Sequence, residues 1–190
     1  MHIFLISGGA FNGKDTLADI LMKKLKGKSV KMSFAGYLKD IARKYYGWDG
    51  TKDDDGRCLL QYLGTERIRE ELGWEDFHVR RVCEDIKIIE NDYDYVLIPD
   101  ARFRNEIYYT KSQFPDNVTS IHIERLNFKS PLTQGQQNHK SENDLVGFKG
   151  FDYKIKNKEG LDSLEKEVDL KLGGLIENLN RVKYNTYLTK

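Results

Sequence analysis

The chain is poor in cysteine, proline and net charge, and it has no long apolar run. Two cysteines, Cys58 and Cys83, stand in 190 residues; they suggest no disulfide framework, and reduced thiols of a cytosolic protein are expected. With only 3 prolines and no low-complexity tract, fibrous and disordered classes are set aside. No window approaches the roughly 18 apolar residues that a membrane span requires. Met1 leads straight into a strand-like segment without a basic stretch and long apolar run, so no secretory leader is expected. Lys plus Arg number 31 against 30 Asp plus Glu, a net charge of +1. No global field recruits nucleic acid or an anionic membrane. A polyanionic ligand must therefore be met by a local cluster of donors.

What is present suits one globular domain. Hydrophobic residues are 39% and charged residues 32%, and a chain of this length buries roughly 70% of its unfolded surface. Ile3-Phe4-Leu5-Ile6 is a short apolar run next to glycines, which reads as a strand buried on both faces. Further strands are expected at 30–34, 95–98, 119–123 and 153–156. Helices are expected from Asp15, over 37–46, 58–72, 75–90 and 104–111, and over 161–179. Residues 47–56 read as a loop, 126–149 as a polar segment without period, and the basic tail from Arg181 as frayed. Short buried strands alternating with helices predict an α/β fold with a parallel sheet covered on both faces. In such folds ligands bind beyond the carboxyl ends of the strands.

The end of the first strand carries the sharpest signal. Gly8-Gly9-Ala10-Phe11-Asn12-Gly13-Lys14 has the Gly-x4-Gly-Lys spacing of a phosphate-binding loop. Its glycines let backbone N–H groups converge on phosphate oxygens, and the following helix aims its positive end at the same point. Gly8, Gly9, Ala10, Asn12, Gly13 and Lys14 are thus nucleotide-binding candidates, with Lys14 reaching the β- and γ-phosphates of ATP. Asp15 stands where Ser or Thr usually holds Mg²⁺, and Thr16 follows. Either can ligate the metal, or Asp15 is a first-turn acid favoured by the helix dipole.

Other strand ends add candidates. Asp100 follows the third strand, where a second metal-orienting acid is expected, and Arg102 offers a phosphate-binding fork two residues on. Arg125 opens the polar segment 125–149, which reads as lid-like, with Lys129, His139 and Lys140 as further cations. Ser141-Glu142 reads either as a helix cap or as part of the site. The helical region 37–92 supplies Lys39, Arg43, Arg57, Arg67, Arg69, Arg80 and Arg81. Such residues suit an acceptor phosphate, though each alone is an ordinary solvated charge.

The ordered blocks GGAFNGKDT, SFAGYLKDIAR, YLGTERIRE, VLIPDARFRNE, HIERL, HKSENDL and YKIKNKEGLDSLEKEV resemble the phage-type deoxynucleoside monophosphate kinases, over residues 1–172. The resemblance implies a three-layer P-loop fold with five parallel strands, a helical acceptor-binding insert and a lid. It implies transfer of the γ-phosphoryl group of ATP, with Mg²⁺, to a deoxynucleoside monophosphate in the cytoplasm of a host cell. It places Asp15 and Thr16 in the GKDT block, Asp100 and Arg102 in the PD-x-R block, and Arg67 and Arg69 in a block facing the acceptor; with it, Asp15, Thr16 and Asp100 are the metal candidates, and Lys39, Arg102 and Glu142 join Arg67 and Arg69 as acceptor candidates. Asn157 falls near the adenine, and Arg125 begins the lid. His78 stands where a tryptophan is expected, and the lid and acceptor regions are short beside better-known members. Animal-type phosphomevalonate kinases share a similar ADxR and SE pattern, so another small phosphorylated acceptor is the rival within this chemistry. A nucleotide-binding switch that hydrolyses ATP slowly is the rival outside it. Pairing of two copies through a helix is compatible with the sequence.

Overall fold

A computed structural model describes residues 1–158 and 160–188. Five parallel strands form one sheet in the order β2-β3-β1-β4-β5. They are β1 (His2–Ser7), β2 (Ser29–Lys31), β3 (Tyr95–Ala101), β4 (Val118–Arg125) and β5 (Tyr153–Asn157). The period-2 alternation of β1 divides its side chains between two cores. Phe4 and Ile6 join α1 (Lys14–Lys24) and α8 (Leu161–Leu188) through Leu17, Leu21, Leu164 and Val168. Ile3 and Leu5 join α4 (Phe77–Ile89) and α5 (Arg104–Gln113) on the other face through Val79, Val82, Ile86 and Ile107. The result is a three-layer α/β fold with helices on both faces of a parallel sheet, as expected from the sequence.

A small third core lies outside these layers. Leu38 and Ala42 of α2 (Gly36–Tyr46) pack with Trp48, Leu63 and Ile68. This places the helical region beyond the carboxyl ends of β2 and β3. One irregularity shapes the same edge. Leu5 pairs with Ile98, but Ser7 pairs with Ala101, so β3 carries one extra residue at Pro99-Asp100. Proline has no N–H for the ladder, and a bulge is where a strand tolerates it.

Several elements differ from their sequence expectation. Residues 47–56 are not all loop: α3 (Asp54–Gln61) begins inside them, capped by Asp53, whose Oδ1 accepts from the Gly56 amide at 2.8 Å. Aspartate serves turns and helix caps alike, so the Asp-rich stretch reads as either. The helix expected over 58–72 is α3 followed by a π-helix (Tyr62–Glu71), closed by a wide turn from the Leu72 amide to the Arg67 carbonyl at 3.1 Å. Strand β2 ends at Lys31 rather than residue 34, because the Phe34 and Ala35 amides turn to the Asp100 carboxylate. The polar segment holds two short helices, α6 (Gln134–Asn138) and α7 (Lys140–Asn143). His139 caps α7, its Nδ1 accepting from the Ser141 amide at 3.2 Å; Ser141 is not the cap. The tail beyond Arg181 is helical to Leu188, and its last two residues lie outside the described ones. No helix among the described residues is long and apolar enough to cross a membrane.

Candidate active site

The loop after β1 closes into a nest. Gly8 has φ +152°, and a Cβ there would lie 2.3 Å from the Ile123 carbonyl oxygen, so only glycine lets the loop pass β4 so closely. Lys14 folds back over the loop: its Nζ donates to the carbonyls of Gly8 at 2.9 Å and Gly9 at 2.8 Å. Asn157 at the end of β5 donates to the Asn12 carbonyl at 2.9 Å, and Asn12 donates to the Ile123 carbonyl at 3.3 Å. Asn157 therefore braces the nest itself. Phe11, at the tip, is exposed and left-handed at φ 62°, a conformation that sits at functional sites more often than elsewhere. The Arg57 guanidinium lies 5.2 Å from its ring centroid.

Burial, with Arg102 nearby, brings the Lys14 ammonium down to about 8, against the pull of Glu142, Asp100 and Asp15. Two carboxylates thus flank Lys14 besides that of Glu142. Asp15 is exposed, as is Thr16. Asp100 is engaged by the β2–α2 turn: Oδ2 accepts from Ser33 Oγ at 2.5 Å and the Ala35 amide at 3.2 Å, and Oδ1 accepts from the Phe34 amide at 3.0 Å. Oδ2 thus accepts twice, and Oδ1 retains a further lone-pair direction. Among the described residues no group of three or more His, Cys, Asp or Glu could hold a metal by itself. That donor set fits Mg²⁺, which keeps several waters and takes one or two carboxylates plus phosphate oxygens.

Glu142 reaches into the nest from the polar segment. Its Oε2 accepts from the Ala10 amide at 3.3 Å, and its Oε1 forms an ion pair with Arg102. Two cavities meet at Arg102, Ser141 and Glu142. One, of about 530 Å³, also touches Gly8, Gly9, His122 and Lys154. The other, of about 180 Å³, lies over the helical region.

The second cavity gathers Lys39, Lys52, Arg57 and Arg102 along its wall. The Lys52 ammonium is held below the ordinary lysine value, first by desolvation, then by Lys39, with Asp15 acting in the opposite sense. These four cations, with the paired Arg69, line one cavity, a charge pattern that would attract an anion. Sequence reasoning passed over Lys52, because a lysine in the stretch Thr51-Lys52-Asp53-Asp54-Asp55 reads as solvated.

Arg67 and Arg69 are parted. Two residues apart on a helix, they do not share a face. Arg67 is exposed and paired with Glu71 at 2.7 Å; it does not line the cavity. Arg69 lines it but is 6% exposed, with Nη2 on Glu106 Oε1 at 2.7 Å and Nη1 on the Glu75 carbonyl at 2.5 Å. Its guanidinium lies 3.9 Å from the Phe103 ring centroid. Glu106 also accepts from the Arg102 and Phe103 amides at 2.7 and 3.0 Å, so this pair holds the β3–α5 corner that presents Arg102. Burial pushes the Glu106 carboxyl up to about 7 against the pull of Arg69.

Arg125 is not drawn into either cavity. Its guanidinium lies over the Phe128 ring at 4.4 Å and donates to the Phe11 carbonyl at 3.5 Å. His139 and Lys140 pair with Glu66 and Glu70 of the π-helix at 3.0 and 3.2 Å, which joins the polar segment to the helical region. Gln136, 4% exposed, adds a bond from Nε2 to Asp54 Oδ1 at 3.1 Å.

No family model matches the chain, and no curated protein matches it. Solved structures with the same fold include a shikimate kinase from Bacteroides thetaiotaomicron, 14% identical, with a TM-score of 0.54 over 93% of this chain and 98% of that one. A gluconokinase from Sinorhizobium meliloti 1021 is 12% identical, with a TM-score of 0.50 over 100% and 97% of the two chains. A sugar kinase from Janibacter sp. HTCC2649 is 13% identical, with a TM-score of 0.50 over 91% and 95%. At such identities the likeness is one of fold. The chain has the three-layer α/β architecture of these P-loop kinases.

Proposed function

We propose that the protein is an ATP-dependent phosphotransferase acting on a small phosphorylated acceptor, a deoxynucleoside monophosphate. The observation that carries this reading is adjacency. The nest around Lys14 is linked, through Glu142 on the Ala10 amide and Arg57 over the Phe11 ring, to a cavity whose wall holds Lys39, Lys52, Arg57 and Arg102, which supports a reading with two anionic ligands side by side. The nest amides take the ATP phosphates, and the cationic wall takes the acceptor phosphate. An acceptor phosphate oxygen forms a bond to the γ-phosphorus as the bond from that phosphorus to the ADP oxygen breaks. Lys14 and Arg102 offset the charge on the transferring group, and positioning supplies most of the remainder. Asp15, Thr16 and Asp100 are the residues that would hold Mg²⁺, which supplies charge neutralisation on the phosphates.

The deciding experiment is ADP release from ATP with Mg²⁺ against a panel of deoxy- and ribonucleoside monophosphates. Stimulation by a deoxynucleoside monophosphate is expected, and Lys14→Ala is expected to abolish it while the protein stays folded. ATP hydrolysis indifferent to every acceptor would identify a non-transferring nucleotide switch instead.

A further inference from the structure

The floor of the acceptor cavity holds an unexplained polar group. His78, the second residue of α4, is 4% exposed and lines the cavity, yet neither Nδ1 nor Nε2 has a well-formed hydrogen bond, the one polar approach being a loose contact with the Gly64 backbone. Arg69 Nε, in the same wall, is also buried and unpartnered. Buried polar atoms are nearly always satisfied, and each orphan costs about 1–3 kcal/mol. Poorly satisfied nitrogens of His78 and Arg69 grouped in one cavity wall point to a ligand that completes them. The surroundings keep the place open. Gly64 faces His78, and a Cβ there would lie 2.9 Å from Leu38 Cδ2 and 4.0 Å from His78 Nε2. Leu38 and Phe103 supply apolar walls.

We propose that His78 is a specificity-determining residue: its ring nitrogens, with Arg69 Nε, pair with the donor–acceptor edge of the acceptor's nucleobase. This rests on the function proposed above and goes beyond it by assigning recognition of the base. The division of charge supports it. Lys39, Lys52, Arg57 and Arg102 supply charge for the phosphate, whereas beside His78 the Arg69 charge is paired with Glu106. Burial and the nearby Arg69 bring the imidazole down to about 4, with only a weaker pull upward from the Gly64 backbone and Asp100. A neutral imidazole offers one N–H donor and one acceptor nitrogen, which is the pattern of a base edge. An acceptor with a carboxylate in this position would call for a free cation, and the Arg69 charge is already taken by Glu106. Sites that hydrogen-bond a substrate discriminate strongly, because the wrong substrate leaves them unpaired.

The test uses the full chain with His78→Leu and His78→Gln, saturating ATP and the four deoxynucleoside monophosphates. In His78→Leu, KM for the best acceptor rises at least about tenfold and kcat changes less than about threefold. The preference between the best and second base shrinks, KM for ATP stays within about twofold, and His78→Gln recovers part of the loss. Unchanged KM and base ranking in both variants overturn the proposal. So does a uniform loss of kcat for all acceptors with a raised KM for ATP, which marks a structural role. If a variant fails to fold by thermal melting, the wild-type imidazole ¹⁵N shifts on adding the accepted monophosphate decide: a shift supports pairing, and none overturns it. If no monophosphate stimulates ADP release, the proposed function falls and this assignment with it. If monophosphates turn over but the variants behave as wild type, only the assignment falls.

Discussion

The carboxylate of Glu142 accepts a hydrogen bond from the Ala10 amide, 3.3 Å away, while paired with Arg102. A carboxylate oxygen on that amide occupies a position suited to a phosphate oxygen. Anionic ligand and Glu142 then compete for one donor and one guanidinium. Glu142→Gln removes the competing charge and is expected to lower KM for ATP by a few-fold. Steady-state kinetics at constant ionic strength checks this; a raised KM would assign Glu142 to holding the nucleotide rather than opposing it.

The ammonium of Lys14 sets a pH limit. Its pKa is brought to about 8, chiefly by burial, against about 10.4 for a free lysine. The charged form, needed to face phosphate, predominates below pH 8 and is lost above it. We expect kcat/KM for ATP to hold level up to about pH 8 and then to fall toward tenfold per pH unit. The stability effect has the opposite sign. Burying the charged form costs folding energy below pH 8, and that cost is relieved as pH rises from 8 toward the unfolded value. A pH profile flat to pH 10 would contradict the first expectation.

The two arginines of the π-helix are expected to respond differently to removal. Arg69→Met leaves Glu106, 3% exposed, without its ion partner; its carboxyl, already raised to about 7, then takes up a proton, and the lost hydrogen bonds cost about 1–3 kcal/mol. Arg67→Ala removes an exposed i,i+4 pair and stays within about 0.5 kcal/mol, with KM for the acceptor unchanged. Urea unfolding of both variants and acceptor kinetics of the second measure these effects. An Arg67→Ala variant with a tenfold higher acceptor KM would return that residue to the phosphate.

The sheet and the nest were legible in the sequence because each has a local cause. Apolar runs give buried strands, and the spacing from Gly8 to Lys14, set between a strand and a helix, gives a tight glycine loop. What escaped depends on distant partners. The inward turn of Arg69 is set by Glu106, 37 positions away. The wide turns from Tyr62 to Glu71 carry no periodic signal separate from an α-helix. Lys52 enters the cavity wall only because α3 starts two residues after it. The grouping of Arg67 with Arg69 failed for a simpler reason, since helical geometry separates neighbours two apart.

The extra residue at Pro99-Asp100 fixes what kinds of change this protein can tolerate. The bulge inverts the alternation of β3, so Ala101 falls in the same core as Ile98 although three positions separate them. Removing one residue there would give a regular ladder with Ala101 still opposite Ser7 and still in the core of Ile98, so the downstream chain would keep its side of the sheet and only the extra step would be lost. The Asp100 carboxylate, which holds Ser33, Phe34 and Ala35 of the β2–α2 turn from that step, would lose its place. Length variation among descendants of this chain should therefore collect in the polar stretch after β4 and be purged from Pro99-Asp100, where the surplus residue is what lets one carboxylate hold the neighbouring turn.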